Sequence, residues 1–216
     1  RELYLGSNEP GLLDDAAGNC GATIQPVTED VFRKISYRDR PDGLIAVAPR
    51  PEWGLQRLEG QESGISALYL VAQSIEKPGN LGTILRTADA AGVDGVVVVD
   101  QCTDLYNPNV VRASIGTLFT VPVAEATSDE ALEWFKQRDI RLFATSPDAK
   151  KNYNEADLSG PMAIVIGSEQ YGLVGRWLES TDEQISIPMA GQADSLNVAT
   201  STAIVLFEAL RQRRSG

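Results

Sequence analysis

Short apolar runs at residues 67–72, 95–99, 120–123, 141–145, 163–166 and 184–187 alternate with stretches of helical spacing over most of the chain. Within each run the hydrophobicity is continuous instead of every-other-residue, which marks strands buried on both faces, as a parallel sheet with helical crossovers requires. The pattern therefore predicts an α/β fold in which a parallel sheet carries helices on both faces. Ahead of it, residues 2–49 read strand, helix, strand, helix, strand, with the elements at 3–5, 12–17, 22–27, 28–35 and 44–47. Thr28 followed by Glu29 and Asp30 is a helix cap with acids in the first turn. Between these regions, Pro49-Arg50-Pro51-Glu52-Trp53-Gly54 and the polar residues 56–64 interrupt any regular element. We expect a small α/β domain at 1–50, a linker at 51–64 and a main domain at 65–216.

The chain closes on a long helix that is nearly all apolar, so most of its surface must be covered. It is either a central packing element or part of a dimer interface. Pro188 ends the strand before it by removing a ladder donor, and Asp194 or Ser195 is the expected cap.

Composition changes the picture in several ways. At 216 residues, 43% hydrophobic and 23% charged, the chain can bury a large core. No run is long enough to cross a bilayer and no signal-like segment opens the chain, so a cytoplasmic protein is expected. Arg1 is not a natural start, and the small first domain is expected to be cut at its front. There is no histidine, which removes the usual general base and the commonest metal ligand. Cys20 and Cys102 lack metal-ligand spacing; neither a metal site nor a disulfide framework is expected. The net charge of −11 opposes a nucleic-acid partner, although Arg33, Lys34, Arg38 and Arg40 cluster, as do Arg211, Arg213 and Arg214.

In parallel sheets ligands bind beyond the carboxyl ends of strands, and three loops there carry polar or glycine-rich sequences. The first, residues 76–92, includes Pro78-Gly79-Asn80, where Asn80 can cap the following helix, and then Arg86 and Asp89. The second is Gly167-Ser168-Glu169-Gln170-Tyr171-Gly172-Leu173, whose glycines admit close backbone approach. The third, residues 185–200, includes Ile187, Met189, Ser195, Leu196 and Asn197. No glycine-rich fingerprint of a Rossmann dinucleotide site is present.

With these loops in this order, and Tyr106-Asn107-Pro108-Asn109-Val110-Val111-Arg112-Ala113-Ser114-Ile115-Gly116 between the first two, residues 65–214 resemble the SpoU family of the SPOUT methyltransferases. The resemblance implies a deep trefoil knot in the carboxyl-terminal part, S-adenosylmethionine as cofactor, and methylation of a ribose 2′-hydroxyl in structured RNA. It implies 23S ribosomal RNA ahead of transfer RNA, with a non-catalytic knotted ribosome-assembly factor as the alternative from another class. It also implies a homodimer whose sites lie near the interface, with no metal and no membrane partner. By the same resemblance Thr145, Ser146, Gly167, Ile187, Met189 and Leu196 would hold the cofactor. Asn80, Arg86, Glu169, Ser195 and Asn197 would surround the methyl group and the attacking ribose. Because a guanidinium stays protonated in proteins, Arg86 suits a phosphate clamp better than a general base. Arg33, Arg38, Arg40 and Arg112 are the expected RNA-docking arginines.

Overall fold

The structure, a computed structural model, describes residues 2–5, 19, 21–37, 43–60, 67–101, 103–168, 170–173 and 175–215. The chain divides into two compact units, Arg1–Glu52 and Trp53–Gly216.

In the first unit, β1 (Glu2–Leu5) lies between β2 (Thr23–Pro26) and β3 (Leu44–Val47), parallel to the former and antiparallel to the latter. Helix α1 (Glu29–Ile35) starts where Thr28 predicts: its hydroxyl accepts a hydrogen bond from the Val31 amide. Acids in the first turn and Arg33 and Lys34 in the last complement the helix dipole. The expected helix at 12–17, Cys20 and Cys102 lie outside the described residues.

The second unit runs β4 (Leu68–Gln73), α2 (Pro78–Ala91), β5 (Gly95–Val99), α3 (Pro108–Ser114), β6 (Val123–Ala126), α4 (Ser128–Gln137) and β7 (Arg141–Thr145). It continues with β8 (Lys151–Asn152), β9 (Met162–Ile166), α5 (Arg176–Ser180), β10 (Glu183–Ser186) and α6 (Val198–Ser215). The strands form one seven-stranded sheet, ordered β6-β5-β4-β9-β7-β10-β8, in which every pair is parallel. Side chains alternate between the two faces. Leu68, Leu70, Val96, Val98, Ile164 and Ile166 join a core with α2, α3 and α6. Tyr69, Val71, Val97, Val99, Ala163 and Val165 join another with α4 and α5, around Trp134, Phe135 and Trp177. Both faces are therefore dry, which is why the strand sequences read as continuous apolar runs.

Three expectations need correction. Residues 53–58 are not linker: Trp53 and Leu58 are buried, Leu55–Leu58 forms a 3-10 helix, and the Trp53 carbonyl accepts from Glu125 N. Two large apolar side chains outweigh the prolines and glycines around them. The third strand of this unit begins at Val123 and not at 120, because Thr117–Phe119 forms a 3-10 turn whose Thr117 carbonyl still holds the Val121 amide. The two-residue edge strand β8 was not expected; so short a run carries no periodicity.

Helix α2 crosses α3 at backbone contact. A Cβ on Gly82 would lie 2.5 Å from Ala113 Cβ and 2.7 Å from the Val110 carbonyl oxygen, so only glycine permits this approach. Among the described residues no helix is long and apolar enough to cross a membrane. None of their His, Cys, Asp and Glu side chains group in a way that could hold a metal ion.

Candidate active site

Strands β9, β7 and β10 are neighbours in the sheet, and the loops at their carboxyl ends enclose a cavity of about 610 Å³. Small-molecule sites commonly span about 300–1,000 Å³. The loop after β7 supplies Thr145, Ser146, Pro147 and Asp148; the loop after β9 supplies Gly167, Ser168 and residues 170–173; the segment after β10 supplies Ile187, Met189 and Asp194 to Val198. Lys77, before α2, closes the β4 side.

The first loop is anchored across the sheet. Thr145 Oγ1 donates to the Val165 carbonyl (3.1 Å) and Ser146 N donates to the Ile185 carbonyl (3.0 Å). The Thr145 hydroxyl is thus engaged with the fold, and what this residue offers a ligand is main chain. The second loop is the tightest. A Cβ on Gly167 would stand 2.1 Å from Gly172 C and 2.2 Å from Leu173 N, so the chain doubles back against a residue that can have no side chain. Ser168 and Gly172 exchange two backbone hydrogen bonds (3.1 and 3.0 Å), Gly172 taking a left-handed φ of 66°. Ser168 Oγ accepts from Tyr171 N at 3.0 Å.

At the third segment Asn197 does two things. Its Oδ1 accepts from Ala199 N (2.9 Å), capping α6, and its Nδ2 donates to Asn80 Oδ1 (3.1 Å). The amide donor at Ala199 fixes which end of the Asn197 side chain is oxygen and turns the NH2 toward Asn80. This corrects two expectations. The cap of the closing helix is Asn197, not Asp194 or Ser195. Asn80 does not cap α2, which begins at Pro78 with Lys77 in the cap position and no side-chain cap bond; its side chain instead meets Asn197.

A polar network ties α4 and α5 to the sheet. Asp100, at the end of β5 with φ 49°, accepts from the Ser128 hydroxyl and from Gln73 Nε2, and Ser128 Oγ accepts from Trp177 Nε1 at 2.6 Å. Burial raises the Asp100 carboxyl, but the bonds from Ser128 and Gln73 outweigh it and hold the group below its ordinary range. Trp177 is on α5, which also places Leu178 against the cavity.

All six residues expected around a cofactor line this one cavity, together with Ser195 and Asn197. Asn80 reaches it through its bond to Asn197. Arg86 does not line it: it lies further along α2, exposed, with no hydrogen bond or ion pair among the described residues. Glu169, Arg38 and Arg40 lie outside the described residues. Arg112 is exposed in the last turn of α3, and Arg33 is exposed and paired with Glu29. Sequence reading missed Lys77, Asp148, Tyr171 and Leu178 as lining residues. Tyr171 carried a signal, an aromatic between glycines in a loop already singled out; Leu178 carried none, being one apolar residue on a short helix.

Comparison with known proteins agrees with this architecture. The SpoU rRNA Methylase family profile matches residues 67–207. A Synechocystis protein named as an uncharacterized tRNA/rRNA methyltransferase is 36% identical over 87% of this chain, and a Streptomyces viridochromogenes protein named as a 23S rRNA (uridine(2479)-2′-O)-methyltransferase is 36% identical over 82%. The chain spans 67% and 63% of the lengths of these relatives. The crystal structure of the SpoU methyltransferase AviRb from Streptomyces viridochromogenes, in complex with AdoMet, superposes with a TM-score of 0.88 at 30% identity, covering 100% of this chain and 84% of that one. This chain belongs to the SpoU rRNA methylase family.

Proposed function

We propose that this protein transfers a methyl group from S-adenosylmethionine to a ribose 2′-hydroxyl of 23S ribosomal RNA. The single observation that carries this reading is the cavity beyond β7, β9 and β10, with the Asn197–Asn80 pair beside it. The names of the relatives support the reaction class and the ribosomal substrate.

The residues present fit such a cofactor. Gly167 offers bare backbone where a Cβ has no room, while Ile187, Met189 and Leu196 supply the apolar walls an adenine ring needs beside a few main-chain donors and acceptors. Thr145 and Ser146 complete the set from the β7 loop. When bound, the cofactor supplies an electrophilic methyl on a sulfonium. The protein's own task is to align an oxygen nucleophile with that carbon and exclude other arrangements. Asn80, Ser195 and Asn197 orient the ribose by hydrogen bonding, a role the reading also assigns to Glu169. Arg86 acts as a phosphate clamp that holds the target nucleotide and favours the developing alkoxide.

The finer architecture is part of the proposal. The segment 163–200 threads into a deep trefoil knot, and the protein works in the cytoplasm as a homodimer. Three features support pairing: Ile115 and Phe119 are 66% and 57% exposed, Thr120 Oγ1 ties their segment to Asp89 on α2 (3.4 Å), and Arg86 on the same helix has no hydrogen bond or ion pair among the described residues. A second copy covering that face would bring Arg86 toward a cavity it does not reach alone. The first unit, with Arg33, Arg38 and Arg40, and Arg112 on the second, docks the RNA backbone.

The test is direct: incubate the protein with methyl-labelled donor and unmodified 23S rRNA or tRNA transcripts, digest to nucleosides and identify the product by mass spectrometry. A 2′-O-methylnucleoside from 23S rRNA is expected. Label on a base, product from tRNA alone, or donor binding without transfer overturns the reading.

A further inference from the structure

Single exposed aromatics are ordinary on protein surfaces, but Tyr171 combines three properties found together in no other exposed aromatic among the described residues. It lines the cavity, it is 68% exposed, and no other ring or guanidinium among the described residues contacts it. It also stands on a stapled loop. The Ser168–Gly172 backbone pair and the Tyr171 N to Ser168 Oγ bond fix its main chain on both sides, so little backbone entropy remains to be lost when the ring is covered. The interior of the same cavity is already walled by buried apolar residues, Leu173 at 7% and Ile185 at 1% exposure. A ring left open at the rim is therefore aimed at something that arrives from solvent.

We propose that the Tyr171 ring is a stacking platform for the nucleobase of the nucleotide being methylated, holding that base at the rim while its ribose enters between Ser195 and Asn197. This rests on the reading of the protein as an RNA methyltransferase. Proteins that act on single nucleotides of structured RNA take up splayed bases on aromatic faces, because every base has a π-surface and the duplex stack has been given up. The role is one of positioning: the ring touches the base and leaves the reacting oxygen and carbon to others. Stacking is indifferent to base edges, so Tyr171 adds affinity without choosing the base.

The experiment compares wild type with Tyr171→Ala and Tyr171→Phe on a bacterial 23S rRNA transcript, and on a synthetic RNA spanning the mapped target, made with the target base present or abasic. Both variants retain the main-chain staple, and donor affinity by calorimetry reports that the loop is intact. Tyr171→Ala is expected to raise KM for the base-containing RNA about tenfold, with kcat at saturating RNA and donor affinity unchanged. Tyr171→Phe restores wild-type KM, and on abasic RNA wild type and the alanine variant become equal. Wild-type KM in the alanine variant, a penalty that persists on abasic RNA, or a parallel loss of donor affinity would each overturn the inference. If wild type binds donor but methylates no RNA, the functional reading itself has failed; if wild type methylates and the alanine variant matches it, this inference alone has.

Discussion

Replacing Gly167 by alanine puts the tightest feature of the cavity to the test. The added Cβ would stand 2.1 Å from Gly172 C, 2.2 Å from Leu173 N and 2.3 Å from Gly172 O, where carbon contacts normally begin near 3.5 Å. All three atoms are backbone, so no side chain can swing aside, and the 168–172 loop must retreat by more than about 1 Å. Overpacking of this kind costs about 1–3 kcal/mol. Retreat also breaks the two hydrogen bonds between Ser168 and Gly172, each worth about 1 kcal/mol net. The sum, about 3–5 kcal/mol, is a large share of the roughly 5–15 kcal/mol that hold a domain together. For a unit of this size that corresponds to a Tm lower by about 6–20 °C. The assay is a thermal melt with and without S-adenosylmethionine, with calorimetry for donor affinity. We expect both the Tm and the donor affinity to fall in Gly167→Ala. In the control Gly79→Ala, where nothing lies within 4 Å of the new Cβ, Tm should hold or rise, since alanine is the better helix former. A Gly167→Ala protein that melts with wild type and binds donor equally well would refute the close approach and the role of this loop as the cofactor cradle.

Other substitutions separate structural from chemical roles. Asn197→Asp keeps an acceptor for Ala199 N, and thus the α6 cap, but removes the NH2 that donates to Asn80 Oδ1; Tm should stay within a few degrees while kcat/KM for methyl transfer drops by about tenfold or more. Arg86→Ala should reduce methyl transfer by at least about a hundredfold while leaving donor affinity intact, because Arg86 does not line the cavity; an equal loss of affinity in calorimetry would make Arg86 a structural residue. On α6, hydrogen bonds from Arg211, joined by Gln212, outweigh burial and hold the Glu208 carboxyl at about 2 against an ordinary 4.5. A carboxyl depressed on folding stabilises the folded state above the unfolded pKa and loses that contribution as pH falls through the folded one. Urea melts should therefore show the stability gap between wild type and Glu208→Gln closing between about pH 4.5 and 2, and a gap independent of pH would discount the pairing.

How much of this was readable beforehand depended on the range of the interactions involved. Strand and helix identity in the second unit followed from the chain itself, because burial on both faces of a parallel sheet demands continuous apolar runs and sequence carries that demand residue by residue. The loops at the strand ends were legible for a related reason, because glycine-rich and polar stretches follow the apolar runs, whereas the choice of Thr145, Ser146, Gly167, Ile187, Met189 and Leu196 within them came from the resemblance to the SpoU family and not from any local pattern. Caps were less secure. Asn80, Asp194, Ser195 and Asn197 are all capable of ending a helix, and only packing decided that Asn197 caps α6 while Asn80 is left to meet it. That meeting joins residues 117 positions apart, a distance over which composition and periodicity say nothing. The strand order that inserts β9 between β4 and β7, the burial of Trp53 from an apparent linker, and the exposure of Tyr171 at the cavity rim are likewise properties of the assembled sheet. Local sequence determined which elements could form and which residues could serve them. The tertiary structure decided which of those residues meet, because each meeting required the free energy of two apolar faces closing at once.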